Sequence, residues 1–175
     1  RSVRGLGVTP GLAIGTVYLV DRRRVKIPRH HLPDGEREAE AERFMRAVAT
    51  AEHQLRDLRQ RAREGQFSQV GMLIEAHEMI LQDEALTGAT LARIRQEGQN
   101  AEWALKNTLR DLKKMFDRLE QDFFRERRSD VDIVGDRLLR ILTGDRTDPL
   151  DGLPKGAVVV AHDLSPSDTV ALARH

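Results

Sequence analysis

The sequence predicts an α/β fold with a helical insertion, predominantly α in content. Three observations carry this. The hydrophobic period is strand-like at the start, helix-like through the middle and strand-like again near the end; aromatics make up only 4% of the chain; and Ala, Leu, Arg and Glu are plentiful. A chain of 175 residues can bury one good core or two small ones. The order β, helices, β, α is that of one α/β domain interrupted by a bundle. Residues 1–33 and 145–175 are assigned to the α/β part, expected to be truncated, and residues 34–144 to the helical part.

The first element is a strand. Thr9-Pro10-Gly11 reads as a turn, and residues 12–20 are β-branched enough for a strand in which Gly15 marks a bulge or a close backbone approach. Residues 25–32, punctuated by Pro28 and Pro33, form a connector or a second short extended piece. Between 34 and 64 the period changes. Phe44, Val48, Ala51, Leu55, Leu58 and Ala62 recur at spacings of four and three, the stripe of a long amphipathic helix that Gly65 stops.

A second helix over 68–82 places Val70, Leu73, Ile74, His77, Ile80 and Leu81 on one face. A third covers 84–96 and closes at Gly98. A fourth opens at Asn100 as N-cap and runs through Leu105, Leu109, Leu112, Phe116, Leu119 and Phe123. Ser129 or Asp130 caps a fifth, with Val131, Val134, Leu138 and Ile141 inside and Gly144 at its end. Short turns between helices imply a bundle of largely antiparallel neighbours.

After a Pro/Gly/Asp-rich connector, GAVVVA at 156–161 suits a buried strand that shares a sheet with the first. The last helix is started with care: Ser165 is its N-cap, Pro166 takes the first helical position and Asp168 lies near the positive end of the dipole. No stop signal precedes His175. That end, with the start at Arg1, leads us to expect an excised piece of a longer protein.

Composition excludes several functions. With a net charge of +1 and acidic and basic residues interleaved, the field of a nucleic-acid binder is missing. The absence of Cys removes disulfides, thiolate metal sites and cysteine nucleophiles, and agrees with a reducing, cytoplasmic setting. No apolar run approaches the roughly 18–20 residues of a membrane span. No catalytic constellation is complete. His77-Glu78 opens like HExxH, but Leu81 holds the second histidine's place. His30-His31 are adjacent and diverge. His162, Asp163 and Ser165 have the residue types of a triad without a nucleophile elbow, and the serine is better used as a cap. His77 has two readings, a hydrogen-bonded core histidine or, with Met72, Met79 and Ile80, one polar group in an exposed apolar patch that receives a partner's helix.

Four segments together resemble the N-terminal domain of Enzyme I, the phosphoenolpyruvate-protein phosphotransferase of the bacterial sugar phosphotransferase system: GLGVTPGLAIG at 5–15, IEAHEMILQDEAL at 74–86, FFRERRSDVDIVGDRLLRILTG at 123–144 and DLSPSDTVAL at 163–172. The resemblance implies a phospho-histidine domain interrupted by a four-helix-type bundle that docks the phosphocarrier HPr. It implies that a phosphoryl group passes from phosphoenolpyruvate to a histidine and on to HPr, with Mg²⁺ acting in another domain. The family's phosphorylated histidine is the last residue of a GG-x-TSH motif that this sequence does not contain, so no catalytic residue is assigned to it.

The resemblance places His77 and Arg127 at the carrier-binding surface, and the apolar-patch reading adds Met72 and Ile80 to the expected partner-binding residues. Where the sugar-system enzymes tend to be acidic, this chain reads Phe67-Ser68-Gln69-Val70, which points to a differently charged carrier or to the nitrogen-related branch. A pyruvate phosphate dikinase or phosphoenolpyruvate synthase relative is a second reading, and a non-enzymatic helical interaction module is a third. A missing strand would also leave an open sheet edge and favour self-association.

Overall fold

The computed structural model describes residues 10–20, 27–64, 68–118, 122–145, 150, 152–161 and 164–172. Strand β1, Val17–Val20, is followed by a 3₁₀ turn at Asp34–Glu36 and five helices: α1, Arg37–Glu64; α2, Ser68–Gln82; α3, Thr87–Glu97; α4, Ala101–Asp117; and α5, Asp122–Thr143. Strand β2, Val158–Ala161, and helix α6, Pro166–Leu172, complete the order. The expected succession of β, bundle, β and α is present, and among the described residues no helix is long and apolar enough to cross a membrane.

The bundle is built around α1, which packs against α2, α3, α4 and α5. Its predicted stripe is the buried one: Phe44, Val48, Ala51, Leu55 and Ala62 are all buried. They meet Ile74 and Leu81 of α2, Ile94 of α3, Leu105 of α4 and Leu138 of α5 in one core. Each large aliphatic or Phe side chain sealed there contributes on the order of 1.5–3 kcal/mol. Gly135 lets α5 approach α4 closely, since a Cβ at that position would stand 2.5 Å from Cδ1 of Leu109.

Helix ends differ from the expected ones for identifiable reasons. The third helix starts at Thr87 rather than near 84 because Asp83 holds a turn, its Oδ1 accepting from the N–H of Ala85 at 2.9 Å and its carbonyl accepting from Leu86 and Thr87. Gly98, at φ +64°, ends that helix as expected. The fourth helix stops at Asp117, and Phe123 belongs to α5, which runs unbroken through Ser129 and Asp130. Neither of these caps a helix: the FFRERR run is made largely of good helix formers and nucleates α5 earlier. Gly144, at φ +69°, closes it.

Asn100 takes the N-cap position of α4, but its side chain does not cap. The cap comes from α1, where Glu40 Oε1 accepts from the N–H of Ala101 at 2.7 Å. The Asn100 amide instead donates to Pro28 O at 3.1 Å and Glu102 Oε2 at 2.7 Å, and its oxygen accepts from the N–H of His30 at 3.1 Å. Arg43 binds both carboxylates, Glu40 and Glu102, and also donates to Leu142 O. Burial and pairing thus fasten the connector at 27–32 to the start of α4. His31 adds an edge-on contact with Trp103, ring centres 4.9 Å apart, and an isolated bridge to Gln99.

The strands pair in parallel, Val17 opposite Val158 through Val20 opposite Ala161. Both are shorter than predicted. Gly156, at φ +74°, breaks the extended run before β2, and β1 is a strand only where β2 offers partners. Gly15 marks a close backbone approach, because a Cβ there would collide with the carbonyl of Gly156. β2 is not the buried strand expected: Val160 is 44% exposed, and Leu12, Ile14, Val17 and Leu19 are more exposed still. Two strands leave the apolar face of this sheet largely uncovered among the described residues.

Candidate partner-docking site

Helix α2 is two-faced, and the faces follow from 100° per residue. Ile74, His77, Ile80 and Leu81 turn inward and are buried; Met72, Leu73 and Met79 are exposed, Met72 at 65% and Met79 at 56%. The residues expected to form one patch are therefore divided. Met72 and His77 are five residues apart, roughly 140° around a helix, so they cannot share a face. The core reading of His77 is the one the structure supports: it is 2% exposed.

The imidazole is satisfied where it lies. His77 Nε2 is 3.1 Å from Asp130 Oδ1 of α5, and that carboxylate makes Nε2–H the donor. Burial holds the His77 pKa below its ordinary value; the Asp130 hydrogen bond and charge oppose this, and Arg137 adds to it. The ring is accordingly neutral near pH 7, a donor to Asp130 rather than one half of an ion pair. At the edge of the outer face, Arg59 of α1 reaches Glu75 at 3.2 Å and Glu78 at 3.0 Å, fixing α2 along α1.

Arg127 lies within α5, three residues before Asp130, with its side chain outside the described part. Ser165 and Asp168 form a reciprocal capping box at α6: the N–H of Ser165 donates to Asp168 Oδ2 at 2.7 Å, and the N–H of Asp168 donates to Ser165 Oγ at 3.3 Å. The serine is a cap, as its spacing implied. His162 and Asp163 lie outside the described residues, as do Gly65 and Phe67. No group of three or more His, Asp or Glu able to hold a metal ion occurs among the described residues. A groove of about 190 Å³ lined by Gln54, Asp57, Leu58, Arg61 and Arg137 mixes both charges around one leucine, unlike an enclosed apolar ligand pocket.

Spacing could not reveal Asp130 as the partner of His77, because the two are 53 residues apart in sequence. Nor did any local signal mark Glu40 as the cap of α4.

Residues 4–127 match the family model described as PEP-utilising enzyme, N-terminal. A phosphoenolpyruvate-protein phosphotransferase of Cupriavidus necator is 32% identical over 176 residues, covering 95% of this chain and 30% of that protein. The protein of the same name from Bacillus subtilis is 28% identical, covering 99% of this chain and again 30% of its own length. The chain thus spans about a third of the curated relatives it matches. Among solved structures, the solution structure of Enzyme I (nEIt) superposes with a TM-score of 0.77 at 26% identity, over 97% of this chain and 68% of that one. The N-terminal domain of Enzyme 1 - Nitrogen does so with a TM-score of 0.66 at 23% identity over 97% of this chain and 68% of that one, a likeness of fold. On the match to 4–127 and these relatives, the chain belongs to the family of PEP-utilising enzyme N-terminal domains.

Proposed function

We propose that this chain is the carrier-docking part of a phosphoenolpyruvate-protein phosphotransferase. In the complete protein a histidine takes the phosphoryl group from phosphoenolpyruvate and passes it to the phosphocarrier HPr or a nitrogen-branch homologue. The single observation that carries the docking reading is the outer face of α2, where Met72 and Met79 stand exposed on a helix whose opposite face is sealed in the core. Flexible thioethers adapt to a partner's apolar surface, and exposed clusters of this kind mark interaction sites. Arg127 is proposed to contribute from α5. His77 and Ile80, being buried, act on that surface from behind.

The chemistry belongs to the complete enzyme, proposed to work in the cytoplasm as part of sugar or nitrogen phosphotransfer. Neutral imidazole is nucleophilic near pH 7, and transfer between histidines is mainly positioning and charge stabilisation. Mg²⁺ is proposed to serve the phosphoenolpyruvate site, outside this segment. The 175-residue chain is expected to have no phosphotransferase activity alone. It is also proposed to self-associate through the uncovered sheet; light scattering showing monomer at all concentrations would remove that idea.

A titration of the isotopically labelled chain with HPr of the same organism, then with its nitrogen-branch homologue, tests docking. Amide shifts confined to residues 71–80 and the start of α5 are expected with one of them. Shifts elsewhere, or none with either carrier, would overturn the docking proposal.

A further inference from the structure

The two surfaces proposed to meet the carrier lie on different helices. Met72 and Met79 are on α2, Arg127 is on α5, and nothing in the loop between these helices keeps them in register, since α3 and α4 intervene. The inward face of α2 is apolar at Ile74, Ile80 and Leu81, and such contacts are less directional than a hydrogen bond. One inward group of that face is directional: His77, which reaches Asp130 of α5 at 3.1 Å. Asp130 follows Arg127 by three residues, nearly one turn along α5. The hydrogen bond therefore joins the helix bearing the methionines to the turn bearing the arginine.

We infer that His77 is a positioning residue for carrier docking: through Asp130 it pins α2 to α5, and so sets the spacing and rotation between the Met72–Met79 face and Arg127. This inference rests on the docking proposal. The burial of both partners gives the pin its force. His77 is 2% exposed and the Asp130 side chain 15% exposed, so neither group can exchange its partner for water at low cost. A hydrogen bond with one allowed geometry fixes rotation in a way that aliphatic packing does not.

The pin is tested in the 175-residue chain with His77→Leu, His77→Gln and Asp130→Ala. The absence of Cys allows spin labels at Met79→Cys and Ser129→Cys to report the distance between the helices. Binding of HPr, or of the nitrogen-branch carrier if that is the one recognised, is measured on the unlabelled proteins. His77→Leu is expected to broaden the distance distribution and weaken carrier binding at least tenfold while retaining helix content and cooperative melting. His77→Gln, which keeps a neutral donor, is expected to restore both. A narrow distribution and undiminished affinity in His77→Leu would overturn the inference. Should His77→Leu fail to fold, Asp130→Ala, which removes the acceptor, decides in the same way. If the parent chain binds neither carrier, docking is overturned, and the label distances alone still show whether the pin exists.

Discussion

Glu40, in the first turn of α1, accepts the backbone N–H of Ala101 at 2.7 Å, so the first helix supplies the N-cap of the fourth. The same carboxylate takes two hydrogen bonds from Arg43 at 2.8 Å. Replacing Glu40 with Ala removes a cap and leaves Arg43 with one carboxylate. Such charge-assisted bonds are worth about 1.5–3 kcal/mol together with the cap. A fall of that order is expected in the unfolding free energy measured with urea, at an unchanged slope. Hydrogen bonding from Arg43 also holds the Glu40 pKa below 4.5. Between that folded value and the unfolded one the unfolded chain binds more protons, so stability declines as pH falls through this window. Glu40→Gln is expected to flatten the decline.

A second prediction concerns His77. Its pKa is lowered from the ordinary 6.5, chiefly by burial. Below 6.5 the unfolded chain is protonated at this residue while the folded chain is not, and stability therefore drops as pH falls from about 6.5 to the folded value, then levels off. Urea midpoints between pH 7.5 and 5 are expected to decline more in the parent than in His77→Gln. Identical profiles would mean that the histidine does not carry the difference.

Gly135 offers a third. Alanine there raises intrinsic helix propensity by about 1 kcal/mol, but the added methyl stands 2.5 Å from Leu109 Cδ1 and 2.7 Å from Cδ2. Overpacking of this kind costs about 1–3 kcal/mol and should win. Net destabilisation is expected in calorimetry. Combining Gly135→Ala with Leu109→Ala is expected to cost less than the two single changes added together.

Gly15→Ala is the fourth. The new Cβ meets the backbone carbonyl of Gly156, which no side-chain rotation can relieve. Strand pairing is expected to be lost from Val17 and Val158 onward, seen as faster amide exchange at Val158, whose N–H donates to Thr16 O at 2.8 Å. The bundle's amides are expected to be unaffected.

Much of this fold is local, and local features were legible. The stripe from Phe44 to Ala62 is one uninterrupted helix period, Gly98 and Gly144 stop helices by their φ, and Ser165 and Asp168 form a box three residues apart. What was hidden is tertiary. The apolar period runs on through Leu119 and Phe123 without a visible break, because consecutive helices packing on one core need the same residue types; only the backbone shows where α4 stops. The candidate site was half legible. The identity of the helix could be found from IEAHEMILQ, but the orientation of His77 depends on Asp130, Ile74 and Leu81 choosing the inner side together.

The parallel pairing of Val17 with Val158 has a kinetic consequence. Every bundle residue lies between the two strands, so as an unfolded chain they close a very long loop for a ladder of only four residue pairs. Once α1 to α5 have collapsed, the ends of α1 and α5 are held together by their packing, and the effective loop shrinks to two connectors. Sheet formation is thus expected to be the late event in folding, with the Val158 amide gaining exchange protection after those of the helices.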